Sequence, residues 1–235
     1  ILFTAGSIGE DENLEVYVVG GFVRDLLMEK PLNDIDLMVV GDGIGFAKKL
    51  ARKLGQKKIV PFIKFGTAII PTKKMNIEVA TARAELYSQN SRKPTEVIYT
   101  SLEIDLSRRD FTINAMAMNI LPNKFGELTH PYNVKEDIRS KVLKTPLDPD
   151  ETFAEDPLRM MRAAYFSSKL KFKLSQSLIN SMKKTSSRIK IVSAERIRDE
   201  FIKILKTEKP SIGIIVLQKA GLLKYVFPEI DTMYG

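Results

Sequence analysis

The sequence predicts an α+β fold, in which an N-terminal mixed β-sheet flanked by helices is followed by an all-helical region. Three observations carry that expectation. Short β-rich runs alternate with helical patterns over the first part of the chain, and from about Asp150 the pattern turns helical and stays so. Between the two lies Thr145-Pro146-Leu147-Asp148-Pro149, whose prolines break both kinds of element. The expected domains are therefore 1–145 and 146–235.

Taken in order, Val16 to Gly21 reads as a strand and Val23 to Glu29 as a helix. The Pro31-Leu32-Asn33 turn then leads into a second strand, Asp34 to Val40. Phe46 to Leu54 reads as an amphipathic helix. Ile59 to Lys64, Thr67 to Thr72 and Asn76 to Ala82 read as three further strands, with Gly66 marking the turn between the first two. In the second part, helices are expected near Pro157 to Lys169, Gln176 to Lys184, Ala194 to Leu205 and Ser211 to Ala220, the last closed by Gly221 at the C′ position. Ile1 is not a start methionine, and no closing element follows Phe227-Pro228, so the chain reads as a fragment.

Composition removes several classes of chemistry. With no cysteine and one histidine, His130, the chain has no cysteine nucleophile, thiolate zinc site or multi-histidine site, and metal chemistry must use carboxylates and a hard ion such as Mg²⁺. No apolar run is long enough to cross a bilayer, and Ile1-Leu2-Phe3 is too short for a signal-peptide core, which favours a soluble cytoplasmic protein. Lys plus Arg number 37 against 29 Asp plus Glu, a formal charge of +8 that suits a polyanionic partner. The surplus is spread along the chain in doublets such as Lys48-Lys49 and Lys183-Lys184, so it permits nucleic-acid binding without locating it.

Three blocks carry chemistry. In the first, Gly20-Gly21 closes a strand and precedes Phe22-Val23-Arg24-Asp25, and Asp34-Ile35-Asp36 follows after twelve residues. The glycines allow phosphates to approach backbone N–H groups at a helix start, and Arg24 offers a fork of donors. Residues i and i+2 of a strand face the same way, so Asp34 and Asp36 would project together, with Ile35 and Leu37 toward the core. Alternatively, Asp34 closes the turn and Asp36 pairs with a nearby cation. The second block is Arg108-Arg109-Asp110-Phe111-Thr112-Ile113-Asn114-Ala115-Met116-Ala117, where two arginines suit phosphate and Asp110 either accepts from a ribose hydroxyl or caps a helix. The third is Glu155-Asp156-Pro157-Leu158-Arg159-Met160-Met161-Arg162-Ala163-Ala164. Helical spacing puts Asp156, Arg159 and Arg162 on one side, though Asp156 before Pro157 also fits a simple N-cap.

The order and spacing of these blocks resemble the class II CCA-adding enzymes and bacterial poly(A) polymerases, a family of the DNA polymerase β nucleotidyltransferase superfamily. Ala194-Glu195-Arg196-Ile197 with Glu200 resembles that family's later helical motif, with Ile197, Phe201, Ile204 and Leu205 as its core stripe. The resemblance implies a nucleotidyltransferase head followed by a helical neck and the start of a body. It further implies template-independent addition of C and A to tRNA 3′ ends from CTP and ATP, with poly(A) or partial addition as the alternative.

By the same resemblance, Asp34 and Asp36 ligate Mg²⁺, and Glu78, as a third carboxylate on a neighbouring strand, assists the attacking hydroxyl. Gly20, Gly21, Arg24, Arg109, Asp110, Asn114, Asp156, Arg159 and Arg162 hold the nucleotide, Asp156 and Arg159 by reading its base. An edge-strand position for Glu78, exposed and without a role, is the alternative. Tyr87 to Val97, with Ser91-Arg92-Lys93-Pro94, resembles the loop that serves the terminal A step. Two positions depart from the family: Tyr165 stands where an arginine is usual and His130 where an aspartate is usual.

Overall fold

A computed structural model of the chain describes residues 1–32, 34–73, 75–87 and 94–233. The described chain falls into two compact units. One comprises Ile1–Glu85, Val97–Arg109 and Ile113–Val134, and the other Leu86–Glu96, Asp110–Thr112 and Lys135–Gly235.

The first unit opens with helix α1 (Leu2–Asp11), absent from the sequence expectation because its glycines and weak amphipathicity hide it. Strand β1 (Glu15–Val19), helix α2 (Gly21–Leu27), strand β2 (Ile35–Val40) and helix α3 (Gly43–Lys53) follow. Helix α3 starts three residues earlier than its apolar pattern because Asp42 caps it, accepting from the Gly45 N–H at 2.8 Å. Strands β3 (Val60–Phe62), β4 (Thr67–Pro71) and β5 (Asn76–Thr81) match the three expected runs, the first shortened by a 3₁₀ turn over Ile63–Phe65. After β6 (Arg83–Tyr87) and β7 (Pro94–Tyr99), which form their own two-stranded sheet, come helix α4 (Leu102–Ser107) and strands β8 (Ala117–Asn119) and β9 (Leu128–Thr129).

Seven strands form one mixed sheet in the order β3-β4-β5-β2-β1-β8-β9. The β2–β5 pair is parallel and its neighbours are antiparallel. Both faces are covered, which explains why β1 is buried from Val16 through Val19 rather than on alternate residues. On β2, Ile35, Leu37 and Val39 turn to one buried side. Met38, on the opposite side with Asp36, packs with Tyr17, Val19 and the α4 residues Leu102 and Leu106.

The second unit holds α5 (Val134–Ser140), β10 (Val142–Leu143), α6 (Pro149–Glu155), α7 (Leu158–Leu170), β11 (Lys173–Leu174), α8 (Gln176–Thr185), α9 (Ala194–Leu205), α10 (Pro210–Lys219), α11 (Leu223–Val226) and α12 (Pro228–Thr232). Among its described residues after 134, the strand pairing is the two-residue ladder of β10 with β11. Helix α7 is buried nearly all round. Its Ala164 and Ser168 leave room for Gly213 of α10, where an added Cβ would lie 3.1 Å from the Ala164 carbonyl oxygen.

Two sequence expectations change here, and a third holds. Pro149 does not break structure but occupies the first turn of α6, whose N-cap Asp148 accepts from the Asp150 N–H at 2.7 Å. The α9 stripe includes Ile204 but not Leu205, which is exposed, while Glu200 is buried in its place. Gly221 does close α10: at φ +67 it supports hydrogen bonds from its own N–H to the Gln218 carbonyl and from Leu222 N–H to the Leu217 carbonyl.

Candidate active site

Gly20 ends β1 and caps α2 with φ +66, a left-handed conformation that a side chain would strain. A Cβ there would sit 2.9 Å from Arg109 Nη1 and 4.0 Å from Asp36 Oδ2. The glycine backbone is thus pressed between a guanidinium and a carboxylate. Arg24, one turn along α2, is only 3% exposed and donates to Asn114 Oδ1 at 2.6 Å and Asp25 Oδ1 at 2.8 Å. These contacts make Arg24 and Asn114 a buried strut joining α2 to the 3₁₀ turn Thr112–Asn114 that precedes β8.

Asp36 faces Glu78 directly across the parallel β2–β5 ladder. Strand β5 lies between β4 and β2, so Glu78, although exposed, is not on an edge strand. Asp34 stands one residue before β2 and is exposed, while Asp36 lies within the strand and is half-buried. Burial, with Glu78 beside it and Asp34 nearby, pushes the Asp36 carboxyl up to about 6 against the opposing pull of Arg109 and Arg24. Among the described residues no group of three or more His, Asp or Glu is gathered as a metal cluster. The donors available around Asp36 are nevertheless hard oxygens crowded with like charge, which suits a divalent cation.

Arg109 donates through Nη2 to Asp105 at 3.1 Å, and its buried Nε–H has no acceptor among the described residues. Asp105 is a site neighbour that motif reading missed. It is 1% exposed and also accepts from Arg108 and from the Arg83 N–H. Its signal was an acid three and four residues before paired arginines on an amphipathic turn.

In the helical unit, Asp110 Oδ2 takes both Nε and Nη2 of Arg162, at 2.8 and 2.6 Å, while Oδ1 accepts from the Phe111 N–H. Asp110 thus carries a forked ion pair to Arg162 on one oxygen and a local bond from the Phe111 N–H on the other. The Asp110 carboxylate in turn holds the half-buried Arg162 guanidinium firmly charged, assisted by Glu200 at 3.8 Å. Glu200 also binds Lys203, and its buried Oε2 lacks a hydrogen-bond partner among the described residues. Asp156 accepts from the Leu158 N–H through Oδ1, a cap-like bond, and pairs through Oδ2 with Arg196 at 3.2 Å. Arg159 Nη1 donates to Glu155 at 3.0 Å and to the Thr152 carbonyl.

Of the two departures, Tyr165 is half-buried, its ring 5.0 Å from that of Phe166, with Lys169 above it. His130 is half-buried just after β9. Residues 88–93 of the expected loop lie outside the described residues.

Comparison with known proteins adds the family. Residues 16–144 match the family described as the poly A polymerase head domain, and residues 171–234 match that described as the probable RNA and SrmB-binding site of polymerase A. The chain is 35% identical over 96% of its length to an A-adding tRNA nucleotidyltransferase of Geobacter sulfurreducens, of which that match covers 26%. It is 37% identical over 83% of its length to a CCA-adding enzyme of Lactobacillus helveticus, covering 47% of that protein. A solved tRNA nucleotidyltransferase complexed with a primer tRNA and an incoming ATP analog superposes with a TM-score of 0.81 at 33% identity, covering 95% of this chain and 62% of that one. The chain thus spans about a quarter to a half of the curated relatives it matches. With the head-domain family matched over more than half of its residues, the chain belongs to the poly(A) polymerase and CCA-adding nucleotidyltransferase family.

Proposed function

We propose that the protein containing this chain adds C and A to tRNA 3′ ends from CTP and ATP, without a template and with release of pyrophosphate. One observation carries the reading: Asp36 and Glu78 face each other on parallel strands, with Gly20 and Arg109 beside Asp36, in a chain of this family. Asp34 and Asp36 are the residues that would hold Mg²⁺. The like charge around Asp36 and its hold on a proton are what such an ion would relieve. When bound, the metal supplies Lewis-acid stabilisation of charge on the reacting triphosphate.

The remaining roles fall to the chain's own groups. Glu78 accepts the proton of the attacking 3′-hydroxyl. Gly20 and Gly21 let the phosphates approach the backbone, and Arg109 donates its unmatched Nε–H toward them. Arg24 and Asn114 brace that wall from behind. In the helical unit, Asp110 accepts from the ribose and Arg162, charged and partly exposed, takes phosphate. Asp156 and Arg159 read the base. Cytosine and adenine both present an exocyclic amine that a carboxylate accepts, beside a ring nitrogen to which a guanidinium donates, and uracil and guanine reverse both groups.

A second reading, addition of the terminal A alone, is favoured by the A-adding relative, which matches nearly the whole chain. Both are tested by incubating the full-length protein with Mg²⁺, each labelled NTP, and tRNAs ending before C, after C and after CC. Full addition extends all three substrates, and A-only addition extends just the last. An Asp36→Ala arm should lose transfer, and also the thermal stabilisation that Mg²⁺ confers on the parent, while still binding tRNA. Transfer by that variant within a few-fold of the parent would remove the carboxylate-centred reading.

A further inference from the structure

We propose that Asp105 is a positioning residue for nucleotide binding: its buried carboxylate fixes the Arg109 guanidinium beside Asp36 and Gly20 in the orientation that takes a phosphate. The inference rests on the phosphate-binding reading of Arg109. Asp105 occupies the last turn of α4, a helix pinned to the sheet by Leu102 and Leu106. Its two oxygens are divided between the two arginines. Oδ1 accepts from Arg108 Nε at 3.0 Å and Nη2 at 2.5 Å and from the Arg83 N–H at 3.3 Å, while Oδ2 accepts from Arg109 Nη2 at 3.1 Å.

The division sorts two adjacent arginines into different jobs. Arg108 also donates Nε to the Arg83 carbonyl at 2.7 Å, which ties it into the fold. Among the described residues Arg109 is held by Nη2, Nη1 is presented to Gly20, and Nε carries a proton with no acceptor. A guanidinium held by one corner keeps its other donors for a ligand. The carboxylate matters as a charge as well as an acceptor. It offsets one of the two neighbouring cations and competes with Asp36 for the other, so Arg109 does not collapse onto the carboxylate that must remain available for a cation.

The test is steady-state nucleotide transfer by the full-length protein carrying Asp105→Asn, Asp105→Glu, Arg109→Ala, or Asp105→Asn with Arg109→Ala. Positioning predicts that Asp105→Asn raises the KM for NTP by about tenfold or more while kcat changes by less than about threefold. It also predicts that the double variant is no worse in KM than Arg109→Ala. Full additivity in the double variant would mean that Asp105 does not act through Arg109, and would overturn the proposal. If Asp105→Asn fails to fold, Asp105→Glu retains the charge and displaces the carboxylate by one methylene. It should also raise KM, and a folded Asp105→Glu enzyme with parental KM would overturn the proposal. A parental KM in Arg109→Ala strikes at the phosphate-binding reading itself. A raised KM there beside a parental KM in Asp105→Asn strikes only the positioning role.

Discussion

Asp156 shows how one side chain can satisfy two explanations. Sequence offered a cap or a base reader, and the structure spends one oxygen on the Leu158 N–H and the other on Arg196. Asp156→Asn separates them, since its amide oxygen still caps while its NH₂ cannot accept from a guanidinium or a base amine. Folding should survive, and preference for CTP and ATP over UTP and GTP should fall by roughly tenfold to a hundredfold, the equivalent of about 1–3 kcal/mol for a bidentate base contact. Full selectivity in a folded, active Asp156→Asn enzyme would leave only the cap. Asp36 and Glu78 were legible as strand residues because Asp34 to Val40 and Asn76 to Ala82 read as strands, while only the family resemblance linked the two. Asp105 was not singled out, and Arg196 and Glu200 were named only within a resembling motif, without their partners. The pairing of Arg196 with Asp156 spans 40 residues and no local pattern encodes it, whereas Asp105 stands three and four residues before the arginines it binds and was passed over despite that local signal.

Among elements, strands were read to within a residue or two wherever β-branched runs met glycine or proline, as in β4 and β5. Periodicity failed where helices are short or wholly enclosed. Helix α4 is six residues long, too short for a periodic signal, and α1 is marked by small residues that pack closely rather than by an apolar stripe. The misreading at Pro149 has a specific cause. Proline disfavours a helix interior but suits its first turn, and only the preceding cap tells the two apart. Asp148 supplies that cap, so Asp148→Ala should cost about 1 kcal/mol of stability in the helical unit. Thermal unfolding of the full-length protein would register the loss, and an unchanged midpoint would show that packing alone sets where α6 begins.

At the scale of the whole chain, the expected division at residue 145 follows a break in sequence pattern, whereas packing is interleaved. Asp110–Thr112 groups with the helical unit although the residues on both sides of it group with the sheet. The reason lies in its partners. Phe111 is 0% exposed and packs edge-on to Phe166 with centroids 5.7 Å apart, Asp110 holds Arg162, and Thr112 Oγ1 donates to buried Asp137 at 2.8 Å. A fragment of residues 1–145 keeps Asp137 but lacks both Phe166 and Arg162. It would expose a phenylalanine whose burial is worth roughly 1.5–3 kcal/mol, and leave the Asp110 carboxylate without its guanidinium. Losing that much at a local site reduces amide protection there by about tenfold to a hundredfold. Hydrogen exchange at Phe111 and Thr112 should therefore be faster in the fragment than in the whole chain, with more binding of a hydrophobic dye, while amides of β1 and β2 change less. Equal protection of Phe111 and Thr112 in both would show that this segment belongs energetically to the sheet, and that the pattern break at 145 is also a break in packing.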